Sequence, residues 1–410
     1  MKTSLFLSLL LIARAVYGQD TVSYSGVVAD FLQPDVNVIH NSVALSHFYD
    51  KLYQLKKTKQ GTVNILHIGD SHIQADFLTQ AARTQFQQEF GNAGRGFVFP
   101  GRVGRTNEAP SIYSSSKAAW DSKRIIYTQE PTPIGLGAMT ITTLQAQANL
   151  LIRTHPVDNL TYSFNRITLL YQKDEASFHL ALKDSIGAEL AYAGAYTVEE
   201  DNVSRIVLPR ALNQIELVTL QSQETQTRFS LYGLVLENGE PGILYHATGG
   251  NGAKVKHYLD AALFADQSKV IQPDLIIISL GTNEAIEHPY VDPQVAHYLD
   301  QLITRLSTAN PQAQILLTTP MDFYKKKTRR NPGVEQVRNA IVGYADSHNR
   351  PYWDLFSVGG GKNSADLWKK NGLLQQDGIH FTKAGYHLQG QLLYEALIKG
   401  YHEYVQFRYP

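Results

Sequence analysis

The run Val63-Asn64-Ile65-Leu66-His67-Ile68-Gly69-Asp70-Ser71-His72 is an apolar segment that ends abruptly in small and polar residues. Its aliphatic density fits a strand buried on both faces, and Gly69-Asp70-Ser71 marks the exit from it. A helical pattern follows, with Ile73, Phe77 and Ala81 spaced four apart. Strand, short turn and helix form the repeating unit of a parallel sheet covered on both faces. The same texture lies to either side. Leu45, Phe48, Tyr49, Leu52 and Leu55 predict a helix over 44–59. Beyond residue 243 the pattern predicts strands at Ile243–His246, Leu275–Leu280, Ile315–Thr319 and Pro351–Phe356, alternating with helices over 294–309, 334–347 and 383–399.

Between 106 and 240 the texture changes. Short β-branched or alternating segments predict strands at Arg124–Tyr127, Thr140–Leu144, Ile167–Tyr171, Ser177–Leu182, Arg205–Leu208, Ile215–Leu220 and Phe229–Leu236. Turns such as Lys173-Asp174 and Asn238-Gly239 separate them. This is an all-β module, a sandwich in expectation. Because α/β texture resumes after it, the module is inserted between two parts, 19–105 and 241–410, of one α/β domain. Gly91 to Arg105, rich in glycine and arginine, reads as the linker into it. On that division, excision of 106–240 leaves every catalytic candidate in place.

Composition narrows the function. The 410 residues contain 37 Lys+Arg and 37 Asp+Glu, so formal net charge is zero and no global basic excess favours nucleic acid or anionic membrane. The absence of cysteine excludes disulfides, thiolate zinc sites, iron–sulfur clusters and thiol catalysis. The histidines form no H-E-x-x-H pattern, so neither a metal nor any other cofactor is expected. At the N-terminus, Met1-Lys2-Thr3-Ser4 precedes the apolar run Leu5–Ile12 and then small residues. This pattern fits an export signal, cut after Ala15 or, preferably, after Gly18. The apolar run is too short to span a bilayer, which takes ~20 residues. The mature chain is therefore expected in a periplasmic or extracellular space, without integral membrane association.

Four places carry chemistry. Ser71 stands at the C-terminal end of a strand, where open α/β sheets put their active sites; by itself it is more readily a helix cap. Asp377-Gly378-Ile379-His380 is a D-x-x-H in a loop before the last helix. Serine becomes a nucleophile when an imidazole removes its proton, and the imidazole needs an acceptor to fix its tautomer. Asn283, in Gly281-Thr282-Asn283-Glu284, follows a buried strand and can aim an amide N–H into a cleft as an oxyanion donor. Gly249-Gly250-Asn251-Gly252-Ala253 is a loop whose backbone can approach a ligand closely. It is no phosphate-binding Walker loop, since Val255 stands where Ser or Thr is required.

In chain order, Ser71, a glycine loop, Asn283 and Asp377/His380 resemble the SGNH (GDSL-type) hydrolase family, over about 63–104 and 243–400. The resemblance implies a three-layer α/β/α flavodoxin-like domain. It implies Ser71 as nucleophile, His380 as base, Asp377 as its partner, and Ser71, Gly252 and Asn283 as the oxyanion hole. Gly250 remains a rival to Gly252. Two residues depart from the family pattern: Glu284 replaces the usual Asp, and His72 the usual Leu. With its β-rich insert and the opening His-Ile-Gly-Asp-Ser-His, the chain looks most like the peptidoglycan O-acetylesterases, whose insert resembles a carbohydrate-binding module. The expected function is a secreted serine esterase that removes O-acetyl groups from a polysaccharide, peptidoglycan first. The alternatives are a lipase or thioesterase of the same mechanism, or a catalytically decayed glycan-binding protein. The cluster Lys325-Lys326-Lys327-Thr328-Arg329-Arg330 reads as a solvated loop, or else an anion-attracting rim.

Overall fold

Alternation along the strand Thr62–Gly69 sends Val63 and Ile65 into one hydrophobic cluster and Leu66 and Ile68 into another. Leu275–Ser279 divides in the same way, with Leu275 and Ile277 on one face and Ile276 and Ile278 on the other. Burial on both faces is why these strands carry near-continuous aliphatic runs. In the computed structural model, which describes residues 30–127, 133–193 and 202–410, they lie at the centre of a six-stranded sheet. The export signal expected over 1–18 lies outside the described residues.

Across the sheet the order is Ile39–His40, Tyr352–Trp353, Gln314–Thr318, Leu275–Ser279, Thr62–Gly69 and Gly242–Gly249. Every neighbouring pair is parallel except the first. Counted in chain order, the five parallel strands run 2-1-3-4-5, the flavodoxin-like arrangement, whose ligand crevice opens between strands 1 and 3. Helices Ser46–Thr58, Phe77–Phe90 and Lys383–Arg408 cover one face through Phe48, Leu52, Phe86 and Leu392. Val295–Ala309 and Gly333–Ser347 cover the other through Leu299, Leu302, Val337 and Ile341. The three layers are as expected.

The β-rich stretch builds two antiparallel sheets. One runs Glu189–Ala193, His179–Lys183, Gln214–Leu220, Asn149–Thr154, Ile112–Ser115. The second runs Val203–Leu212, Phe164–Tyr171, Phe229–Glu237, Met139–Thr143, Asp121–Arg124. Their inner faces share a core to which Ile152, Leu180 and Ile215 contribute from the first sheet, and Ile141, Leu169 and Phe229 from the second. Such a face-to-face stack is a sandwich.

Several local expectations change. Gly94–Val98 is a strand of the second sheet, paired with Phe229–Glu237, so the linker reading of 91–105 is corrected. Gly94 adopts φ +133°, and a Cβ there would lie 2.7 Å from the Glu237 backbone, which is why glycines hid a strand. The helix after Ser71 is broken into Ser71–Gln74 and Phe77–Phe90, because Asp76 sits at φ +60°. The buried Asp76 carboxylate then receives Arg83 (2.9 and 3.0 Å) and Arg95 (2.6 Å). The strand expected at Pro351–Phe356 shrinks to Tyr352–Trp353, since a helix begins at Leu355. Lys325–Arg330 forms a small hairpin, Tyr324–Lys325 against Arg329–Arg330, in place of a loop.

The sandwich and the parallel sheet share a core. Phe97, Ile125, Leu136 and Tyr232 belong to the cluster that contains Leu66, Leu259 and Phe264. Leu136 N–H donates to Gln267 Oε1 (2.8 Å), and Thr248 Oγ1 donates to the Leu136 carbonyl (2.6 Å). Excision of 106–240 would therefore uncover apolar surface of the α/β part, at ~1.5–3 kcal/mol for each large side chain exposed. The catalytic candidates lie outside the stretch, but the core that supports them is shared with it.

Candidate active site

Three strand ends place three of the candidates. Thr62–Gly69 delivers Asp70 and Ser71, Gly242–Gly249 delivers the glycine loop, and Leu275–Ser279 delivers Asn283. The last two bracket the first in the sheet, so all three turns meet at the crevice where strand order reverses. Lys383–Arg408 packs on Phe77–Phe90, and the loop before it carries Asp377 and His380 to the same crevice.

Ser71 Oγ lies 2.9 Å from His380 Nε2, and His380 Nδ1 lies 2.7 Å from Asp377 Oδ2. With Asp377 accepting the Nδ1 proton, Nε2 keeps its lone pair and accepts the Ser71 hydroxyl. The other Asp377 oxygen accepts the backbone N–H groups of Ile379 (2.9 Å) and His380 (3.0 Å). Partial burial works to raise the Asp377 pKa. The His380 hydrogen bond and the two backbone donors outweigh burial and hold the carboxyl below its ordinary range, so it stays ionised beside the imidazole. The spacing of three residues works because Gly378 turns the loop at φ +75°.

Ser71, Gly252, Asn283 and His380 line one open cleft of about 510 Å³, within the size range of small-molecule sites. The two glycines separate here. Gly250 N–H donates to the Gly69 carbonyl (3.2 Å), and a Cβ on Gly250 would strike Ile125. Gly252 lines the cleft at φ +78°, and among the described residues its N–H has no acceptor. The Ser71 N–H, at the first position of its short helix, is likewise open. Asn283 is less free: Nδ2 donates to the Ala253 carbonyl (2.9 Å) and faces Asp70 Oδ2 at 3.3 Å. An incoming oxyanion would compete with the long Asp70 contact, the weaker of the two.

Sequence reasoning missed several neighbours. Asp70 is buried, caps the serine helix through His72 N–H (2.9 Å) and meets Asn283. His72 Nδ1 pairs with the Tyr386 hydroxyl (3.0 Å), and its ring centroid lies 5.3 Å from that of His380. Burial pulls the His72 pKa down, so this second imidazole is neutral against the first. Glu284 is 4% exposed; one oxygen accepts Val255 N–H (2.8 Å) and the other has no partner among the described residues. Burial pushes its carboxyl up to about 7. Asn107 and Glu108 line the cleft from the start of the β-rich stretch. The two departures His72 and Glu284 were signals for their positions; nothing in the sequence pointed to Asn107 and Glu108.

The GDSL-like Lipase/Acylhydrolase family model matches residues 224–388. That span holds Gly252, Asn283, Asp377 and His380, and starts beyond Ser71, which the β-rich stretch separates from the rest. Among solved structures, the chain is similar to a peptidoglycan O-acetylesterase at 20% identity and a TM-score of 0.73, over 91% of this chain and 99% of that one. A family two carbohydrate esterase from Cellvibrio japonicus is similar at 12% identity and a TM-score of 0.29, over 71% of this chain and 98% of that one. An acetyl xylan esterase is similar at 19% identity and a TM-score of 0.31, over 38% and 81%. No curated protein sequence matches. Residues 224–388 are thus similar to the GDSL-like lipase/acylhydrolase family, and the chain as a whole shares the fold of the first of these structures.

Proposed function

We propose that this protein is an exported serine esterase that removes O-acetyl groups from an extracellular or cell-wall polysaccharide, with peptidoglycan as the first candidate. The observation that carries the chemistry is the Ser71–His380–Asp377 chain, at 2.9 and 2.7 Å, on the wall of an open cleft. His380 takes the Ser71 proton as Oγ attacks the ester carbonyl. The oxyanion is held by the N–H groups of Ser71 and Gly252 and the amide of Asn283. The imidazolium of His380 then protonates the sugar oxygen as its bond to the acyl carbon breaks, so the sugar leaves as an alcohol and an acetyl-serine remains. Water, deprotonated by His380, attacks it and releases acetate. Asp377, ionised throughout, stabilises the imidazolium in both halves.

Cleft shape supports a small acyl group on a large alcohol. The cleft is open, as a polymer requires, and the cavity on the inner side of Asp70 and His72 holds only about 40 Å³. An acyl chain directed into that inner cavity could only be short. The peptidoglycan O-acetylesterase that shares the fold supports the choice of polymer. Acetate release should be measured on O-acetylated peptidoglycan and acetylated xylan, and phenol release on aryl esters of increasing acyl chain length. Acetyl esters turned over far faster than octanoyl esters, with peptidoglycan ahead of xylan, is the expected result. A preference for octanoyl esters would overturn the acetylesterase reading.

A further inference from the structure

A second groove, of about 360 Å³, adjoins the catalytic cleft on the sandwich side and is lined by Arg102, Arg105, Tyr113, Trp120 and the Ser114–Ser116 stretch. Glu108 links the two: it lines the cleft, and its carboxylate meets Ser114 and Arg102, which line the groove. It accepts Ser114 N–H (3.0 Å) and the Ser114 hydroxyl, and pairs with Arg102 Nε (3.0 Å). The residues just before it are anchored to the catalytic side twice. Gln74 Nε2 donates to the Asn107 carbonyl (2.7 Å), and Asn251 Nδ2, beside Gly252, donates to Thr106 Oγ1 (3.1 Å).

Positive charge is concentrated along this groove in a chain whose net charge is zero. The Arg102 guanidinium sits 4.9 Å from the Tyr113 ring centroid, and that of Arg153, from the neighbouring strand, 5.8 Å. Arg124 Nη2 donates to the Arg105 carbonyl (3.0 Å), which brings a fourth guanidinium to the rim. Among the described residues the acid ion-paired with one of these four is Glu108, whose side chain is 6% exposed. Arg102 spends only its Nε there and its side chain is 63% exposed; the Arg105 side chain has no partner among the described residues. Exposed, planar guanidinium forks beside a phenol ring suit carboxylates, which they bind with two parallel hydrogen bonds.

We propose that this groove is a subsite for the carboxylate groups of an acidic glycan, holding one part of the chain while an acetyl ester further along lies at Ser71. The proposal rests on the reading of the protein as a polysaccharide esterase and deepens it by naming the charge of the substrate. The carboxylates have two possible sources, the peptide or lactyl groups of peptidoglycan and the uronic acids of an acidic polysaccharide. The guanidinium chemistry is common to both. Contact with the catalytic cleft through Glu108 is what ties the occupant of the groove to the substrate, as opposed to an unrelated anion.

The test compares kcat/KM for O-acetylated peptidoglycan fragments, an O-acetylated polyuronate and neutral acetylated xylan, in wild type and in Arg102→Gln/Arg105→Gln. Each value is normalised to aryl acetate hydrolysis by the same protein. The expected result is a fall of roughly tenfold in the acidic-to-neutral ratio on losing two charge-assisted contacts. The wild-type ratio should fall likewise when salt is raised from about 0.05 to 0.5 M, since exposed charges are screened. A fall for peptidoglycan alone places the carboxylate on its peptide or lactyl groups; a fall for both polymers makes the subsite general for acidic glycans. An unchanged ratio in a natively folded variant overturns the proposal. Sedimentation of Ser71→Ala protein with deacetylated acidic polymer reads binding without catalysis. Binding that Arg102→Gln/Arg105→Gln leaves intact overturns the subsite even if the esterase reading stands. Binding that the substitution abolishes supports the subsite even if the acetyl preference proves wrong.

Discussion

Glu284→Gln should make this protein more stable at pH 8 and leave it almost unchanged near pH 4. The carboxyl is 4% exposed beside the buried Asp70, and one of its oxygens has no hydrogen-bond partner among the described residues. Its compensations are the Val255 N–H at 2.8 Å, its own backbone N–H and the Lys254 ammonium. Burial, the largest influence, therefore moves the titration from 4.5 up to about 7. The folded chain keeps a proton that the unfolded chain releases, so stability is full below about pH 4.5 and falls as pH rises through 7. At ~1.4 kcal/mol per pH unit, the loss levels off near 3 kcal/mol above pH 7. Glutamine offers the same carbonyl acceptor to Val255 and never ionises, so it removes the penalty. Urea unfolding of wild type and variant at pH 4, 6 and 8 measures the difference. A gain of about 3 kcal/mol at pH 8 that shrinks towards zero at pH 4 is the expected pattern. A pH-independent difference, or destabilisation at pH 8, would refute the assignment of Glu284 as a buried acid titrating near neutrality.

Three further substitutions test the site and its support. Asn283→Ala should lower kcat by on the order of 10²–10³, the value of one oxyanion donor. Asp377→Ala should cost more than Asn283→Ala and less than loss of Ser71, because Asp377 orients and stabilises His380 without reacting; steady-state kinetics on aryl acetates reads both. Asp76→Asn keeps the shape of a residue that tolerates positive φ but leaves Arg83 and Arg95 facing a neutral amide, at about 3–5 kcal/mol by denaturant unfolding. Burial opposes ionisation of Asp76, the two arginines override it, and its pKa is lowered. Its stabilisation is therefore present above the ordinary Asp range and disappears as pH falls through the depressed value, so the gap between wild type and Asp76→Asn should close in acid.

The α/β architecture was legible because strands buried on both faces must be written in aliphatic residues, and those around 63–68 and 275–280 are. The site was legible because a nucleophile, a base and its acceptor need particular residue types at strand ends and turns. What stayed hidden has a common cause, long-range contact. Gly94–Val98 looks like a linker until Phe229–Glu237 is laid against it, and its glycines are required by that close approach. Asp76 looks like an ordinary helix residue until Arg83 and Arg95 converge on it. Gly250 N–H is tied to the Gly69 carbonyl and Gly252 N–H is not, a difference that no local pattern encodes. The shared core of sandwich and parallel sheet was hidden for the same reason: Leu136 and Tyr232 look like sandwich residues, and Leu259 and Phe264 like helix residues, until they pack together.

The central claim is that Ser71 is the nucleophile activated by His380. The most direct measurement is active-site labelling with a serine-reactive phosphonate, read by mass spectrometry of the peptide that contains Ser71 alongside acetate release. The account predicts a single phosphonyl adduct on Ser71, loss of activity in proportion to labelling, no adduct in Ser71→Ala, and a kcat for that variant lower by several orders of magnitude. Near wild-type acetate release by a natively folded Ser71→Ala protein, or inactivation with the label on another residue, would contradict it.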